Sequence, residues 1–168
     1  EKEKTNLAEY ILYMWQIEDL VRFNEFDIDK IYDVIIDKFD ATPEMKAEIK
    51  LWYENIIKNM LKQGIAEKGH LAEVNTRLEE LNNLHNSLLT TIQDKDYQEQ
   101  KTDKQINNEV QACMVGLYGF LVLKLKQEKI SEATQQAIQS FSAMMALLTD
   151  RYNKIQKGEL KFSKCSIN

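Results

Sequence analysis

Glu18 is the first residue in this chain whose type and position are suited to chemistry. Placed at 100° per residue, Leu7, Ile11, Met14 and Val21 form one stripe, widened by Tyr10, Ile17 and Trp15, and Glu18 falls in the middle of it. A carboxylate carried into an apolar contact is costly unless it is paired and hydrogen-bonded. Arg22, four residues on, is the expected partner, which makes the pair a structural ion bridge. Two other readings stand beside it. One is a polar group in an apolar pocket that binds a small cationic or hydrogen-bonding ligand, with Glu18, Arg22, Tyr10 and Trp15 as the ligand-binding residues. The other is a catalytic acid or base.

The two histidines come next. Glu67 precedes His70 by three residues, a Glu-x-x-His match to the di-iron bundles. In those proteins the motif occurs twice and within helices, whereas here it occurs once and is interrupted by Gly69. His85 lies in a helical seam, where a half-buried histidine bonded to a neighbour is the ordinary outcome. A metal site joining His70, His85 and Glu18 or Asp19 is the most these residues offer, and neither a metal nor another cofactor is expected. Cys113 sits in the most apolar stretch and reads as an inert core thiol; Cys165 lies in the tail, with no metal-ligand spacing between the two. There is no nucleophile elbow, phosphate loop or dinucleotide fingerprint, so no catalytic residue is assigned.

The elements that must position these groups are helical. Asn6 caps the first helix, with Glu9 at the capping-box spacing, and Asn24 is expected to take the left-handed position that ends it near Phe23. Asp27 caps a second helix whose buried edge is Ile28, Ile31, Ile35 and Phe39. Thr42 and Pro43 open a third, running to about Gln63, with Met45, Ile49, Trp52, Ile56 and Met60 on its face and Gly64 after it. Beyond a break at residues 64–69, Leu71, Val74, Leu78, Leu81, His85, Leu88 and Ile92 recur at spacings of 3 and 4, a coiled-coil-like seam. Residues 94–108 read as a polar loop and the first turn of the next helix. That fifth helix carries Ile106, Val110, Cys113 or Met114, Leu117 and Leu121 on one face, and Ala112, Gly116, Gly119 and Leu123 on the other. Each mid-helix glycine costs about 1 kcal/mol relative to alanine, so the small-residue groove is expected to be filled. Ser131 caps a sixth helix with Ala137, Phe141, Met144 or Met145, Leu148, Tyr152 and Ile155 inward, and Gly158 ends it. Leu160 and Phe162 are expected to anchor the tail.

Composition agrees with that outline. Hydrophobic residues make up 43% of 168, and five glycines with one proline are few for a protein of sheets and turns. The net charge of −5, with only three arginines (Arg22, Arg77, Arg151), argues against nucleic acid. The second and third helices can be drawn as helix-turn-helix, but the second of them opens Pro-Glu-Met-Lys-Ala-Glu, acidic where donors are needed. The longest apolar run, Ala112 to Leu123, is about half the ~20 residues of a membrane span. Free thiols and no visible signal peptide give a cytoplasmic expectation, although the sequence begins without methionine.

The expected fold is therefore all-α: one domain over residues 1–168, an antiparallel bundle of five to six helices, with the fifth helix central, the first packed on the third, and residues 1–5 and 159–168 frayed. Aromatic residues Tyr10, Tyr13, Trp15, Trp52 and Tyr53 concentrate on the first and third helices, for the core or, if exposed, for an interface. The runs ILYMWQIEDLVR (11–22), DIDKIYDVII (27–36) and EKGHL (67–71) resemble a family of uncharacterised bacterial proteins described only as a domain of unknown function, over residues 7–92. That resemblance implies a small, soluble, all-helical protein and supplies no activity, cofactor or site residue. The leading functional expectation is a non-enzymatic helical interaction module that self-associates as a homo-oligomer, without nucleic acid or membrane. A small-ligand-binding bundle built on Glu18 and Arg22 is the rival, and a metal-dependent enzyme the third reading.

Overall fold

The computed structural model of the chain describes residues 6–92 and 109–160, and no strand occurs among them. They hold six α-helices: α1 (Leu7–Phe23), α2 (Ile28–Val34), α3 (Pro43–Lys62), α4 (Ala72–Ser87), α5 (Glu109–Leu125) and α6 (Glu132–Gln156). A 3₁₀ turn, Ile36–Lys38, follows α2, and a π-helical turn, Leu88–Ile92, extends α4. The fold is all-α, as composition and periodicity required. The expectations for residues 1–5 and 94–108, including Ile106, and for Phe162, Cys165 and the side chain of Ile92, fall outside the described residues.

The helix starts follow the capping signals. Asn6 Oδ1 accepts the Glu9 N–H at 3.2 Å. Asp27 accepts from Asp29 and Lys30 at 2.9 and 3.2 Å, Thr42 from Met45 at 3.3 Å, and Ser131 from Thr134 at 3.2 Å. The α4 helix has no such residue. Its first amide, Ala72 N–H, donates to Gln63 Oε1 at 2.8 Å, borrowed from the end of α3.

Helix ends corrected one expectation. Asn24 does not adopt the left-handed conformation; its Nδ2 turns back to the Leu20 carbonyl at 2.8 Å. Glu25 and Phe26 take the positive φ instead, 57° and 61°, and the Phe26 N–H closes onto Val21 O while Glu25 N–H closes onto Arg22 O. This is the Schellman arrangement built without glycine, at some strain for Phe26. Gly64 and Gly158 close α3 and α6 with φ of 68° and 73°, as their positions in the sequence implied.

The described chain forms two compact units. The division falls between Leu12 and Tyr13, inside α1, and between Asn75 and Thr76, inside α4. In the unit from Tyr13 to Asn75, α2, the 3₁₀ turn and α3 pack together, and Tyr13 of α1 stacks on Trp52 of α3, centroids 6.5 Å apart. That is the expected first-to-third contact. The inward face of α3 is Tyr53, Ile56 and Met60, while Met45 and Trp52 are exposed. Ile36, fully buried, takes the place expected of Phe39.

In the other unit α5 and α6, joined through residues 126–131, pack as a hairpin. Val110, Cys113 and Met114 of α5 are buried. On α6 the buried residue is Ile138 and not Ala137, followed by Met144, Met145, Leu148 and Thr149. Burial along α5 is confined to its first half. From Val115 onward it is apolar nearly all round yet half-buried or exposed, an unusual position for such a helix. None of the described helices is long and apolar enough to cross a membrane.

Candidate functional site

Glu18 is 0% exposed, and its partner is not Arg22. Oε1 accepts the Leu71 N–H at 2.9 Å, and Oε2 lies 2.6 Å from His70 Nδ1. The carboxylate therefore meets the residues that open α4, where the helix dipole also favours negative charge. Trp15, one turn before Glu18, stacks flat on the His70 imidazole with centroids 4.5 Å apart and planes 16° apart. The indole is 3% exposed, while the His70 side chain is 34% exposed. When Glu18 is ionised and the imidazole neutral, Nδ1 carries the hydrogen of the 2.6 Å contact and Nε2 the lone pair. No described residue hydrogen-bonds Nε2.

Arg22 serves the same loop by another route. Its Nη1 pairs with Asp19 at 3.0 Å, and its Nη2 donates to the carbonyls of Ile65, at 3.1 Å, and Gly69. The expected Glu18–Arg22 ion pair is thus corrected: the two side chains, one turn apart, hold the same segment, Arg22 at Ile65 and Gly69 and Glu18 at His70 and Leu71. The physical reason is that this segment presents carbonyls where Arg22 reaches it and an N–H with an imidazole where Glu18 does. Asn75 Nδ2 ties the His70 carbonyl to α4 at 3.1 Å. Gly69 is glycine for conformational reasons, with φ of 99°.

Of the four ligand-binding candidates, Trp15, Glu18 and Arg22 meet around this loop, whereas Tyr10 lies in the other unit, half-buried. His85 is a second histidine–glutamate pair: Nε2 lies 3.0 Å from Glu109 Oε2, with the side chains 3% and 14% exposed. The two histidines thus pair with different glutamates, and no group of three or more His, Cys, Asp or Glu able to hold a metal occurs among the described residues. Glu67, the motif partner of His70, is exposed.

The α5–α6 hairpin carries the other notable surface. Gly116 is filled, as the cost of a mid-helix glycine implied: a Cβ there would lie 2.9 Å from the Phe141 ring. Gly119 is not. A Cβ at that position meets no described residue within 4 Å, so among the described residues the expected filling of the groove does not reach this end. The opening is an apolar groove of about 500 Å³ between Gly116, Gly119 and Phe120 of α5 and Ala137 and Phe141 of α6. Neither Glu18, Arg22, Tyr10 nor Trp15 lines it. Val115, Gly119 and Leu123 fall on one exposed stripe at spacings of four, with Val115 56% and Leu123 38% exposed. Val110 to Leu123 contains no charged residue.

Residues 1–159 match the model of a protein family described as "Domain of unknown function (DUF4924)", so the likeness extends well past the segment that carries it in the first 92 residues. No curated protein and no solved structure matches the chain.

Proposed function

The chain belongs to that family, and we propose that it is a helical interaction module that associates with a second copy of itself through the exposed side of α5. The observation that carries this reading is Gly119. A helix-interior glycine costs about 1 kcal/mol, and none of the described residues occupies the space it leaves. A helix of another molecule seated there would use that space.

Three features favour a second copy over a foreign helix. The same stripe supplies both knobs (Val115, Leu123) and the hole between them (Gly119), which a two-fold interface requires of one surface. Two antiparallel α5 helices crossing at Gly119 set Val115 of one against Leu123 of the other, and two α5–α6 hairpins together make a four-helix bundle. The uncharged run from Val110 to Leu123 also matters in a chain of net charge −5, because two such molecules repel unless the contact face is neutral.

Light scattering behind size-exclusion chromatography tests this reading on the whole chain from micromolar to several hundred micromolar. A dimer is expected at the upper end, and a monomer for Leu123→Lys, which places a charge on the stripe. A wild-type chain that stays monomeric throughout, or a Leu123→Lys dimer of unchanged strength, overturns it.

A further inference from the structure

We propose that His70 is a surface nucleophile whose Nε2 accepts an acyl group from an uncharged ester-like donor, with Glu18 as its positioning residue. Four observations carry this. The imidazole is fixed at one nitrogen by a fully buried carboxylate at 2.6 Å. Its other nitrogen has no hydrogen-bond partner among the described residues, and the side chain is one-third exposed. One ring face is held by Trp15, stacked 16° from parallel. The backbone on both sides is pinned, through Gly69 O to Arg22 and through Leu71 N–H to Glu18. In its neutral form a histidine so held is the Nδ1–H tautomer, with the Nε2 lone pair oriented away from Glu18, the arrangement that suits imidazole for acyl transfer.

The donor's charge follows from the surroundings. The two segments that meet here carry Glu18, Asp19 and Glu67 against Arg22 and Lys68, so an anionic donor such as a phosphoryl compound meets net negative charge, and a neutral acyl donor does not. In the step itself, the Nε2 lone pair bonds to the acyl carbon and the leaving oxygen departs with its electron pair, taking a proton from water. The positive charge on the acylated ring is balanced through Nδ1–H by Glu18. Water then adds to the acyl carbon, releasing the carboxylic acid and restoring Nε2.

The test uses the full chain and diethyl pyrocarbonate, a neutral donor whose ethoxycarbonyl group stays on the imidazole while ethyl carbonate leaves and breaks down to ethanol and carbon dioxide. Absorbance gives the rate and peptide mass spectrometry the position. The expected result is acylation of His70 roughly tenfold faster than N-acetylhistidine at the same pH, despite its partial burial, with His85 unreactive. His70→Asn offers Glu18 an amide donor in place of Nδ1–H, its folding is read by melting temperature, and the fast phase is expected to disappear.

Two Glu18 variants separate positioning from packing. Glu18→Gln keeps shape and loses charge, whereas Glu18→Asp keeps charge and loses a methylene. If Glu18 positions and activates His70, the acylation rate is higher in Glu18→Asp than in Glu18→Gln, while the melting temperatures follow the opposite order. If both variants unfold, the wild-type rate against N-acetylhistidine and its loss in His70→Asn decide alone. A wild-type rate at or below that of N-acetylhistidine overturns the proposal. So do rates that track melting temperature across the two Glu18 variants.

Discussion

Replacing Gly119 with alanine separates a surface that is merely exposed from one that is used. The residue sits inside α5, and its added Cβ meets no atom of the described residues within 4 Å. The isolated chain should therefore gain the full helix-propensity difference, about 1 kcal/mol. In a chain of this length that corresponds to about 2–4 °C in Tm. Gly116, three residues earlier, is the control of opposite sign. There the Cβ would lie 2.9 and 3.1 Å from two atoms of the Phe141 ring, so Gly116→Ala should lose stability, by about 1–3 kcal/mol for an overpacked contact. Urea denaturation at low micromolar concentration reads both changes without association. Sedimentation equilibrium at high concentration then reads the second effect. If α5 of another molecule lies on Gly119, the methyl group holds the two backbones apart, and a loss of about 1.4 kcal/mol weakens the dimer tenfold. A more stable monomer and a weaker dimer from one substitution is the expected result. The reasoning is refuted if Gly119→Ala raises stability and leaves association unchanged, or if it lowers monomer stability, which would mean the position is already filled.

The remaining predictions concern buried groups away from the two surfaces. Thr149 is 5% exposed and its hydroxyl has no hydrogen-bond partner among the described residues; Thr149→Val should stabilise the chain by about 1 kcal/mol in urea denaturation, because it removes an unmet desolvation cost. Cys113 is buried, and burial with the nearby Glu109 carboxylate pushes its thiol up to about 11 from 9.0. Since the folded value is the higher one, the unfolded chain ionises first: the thiol's contribution is complete below pH 9 and is lost as pH rises through 11. A Cys165→Ser background should show that extra alkaline loss of stability, and a Cys113→Ala, Cys165→Ser chain should lack it. Identical slopes of stability against pH in the two chains would count against the assignment.

Much of the fold was legible because it rests on local rules. Asn6, Asp27, Thr42 and Ser131 cap the helices they were expected to cap, each through a bond reaching two or three residues along the chain. Where a helix end depends on something distant, the sequence was silent. The start of α4 is completed by Glu18 of α1 and by Gln63, the residue that follows α3, and no pattern around residues 70–72 announces either. Glu18 stood out as a carboxylate in an apolar stripe, but its nearest opposite charge, Arg22, misdirected the pairing. An i, i+4 rule treats a helix as isolated, and here both side chains reach across to a loop whose carbonyls and amide compete for them. The groove beside α5 was visible as a row of small residues. That Phe141 fills it at Gly116 and no described residue fills it at Gly119 is a tertiary fact, set by how far the α6 side chains extend along α5.

The two histidine–glutamate pairs show why pairing alone carries no functional argument. His85 and Glu109 are close in chemistry to His70 and Glu18: one imidazole nitrogen and one carboxylate oxygen, 3.0 Å apart in one pair and 2.6 Å in the other. A buried carboxylate needs a donor and a buried imidazole an acceptor, so each pair is already accounted for by burial. The difference lies at the outer nitrogen. In His85 it is Nε2 that faces the glutamate, and the side chain is 3% exposed. In His70 the glutamate takes Nδ1, the nitrogen nearer the backbone, and Nε2 is left at the end of a ring that is one-third exposed and held flat by Trp15. A bridge that only joined α1 to α4 would work with either nitrogen and with the whole ring buried. The inference for His70 therefore rests on which nitrogen is bound and on what the other one faces, and His85, in the same molecule, is the internal reference against which its reactivity is read.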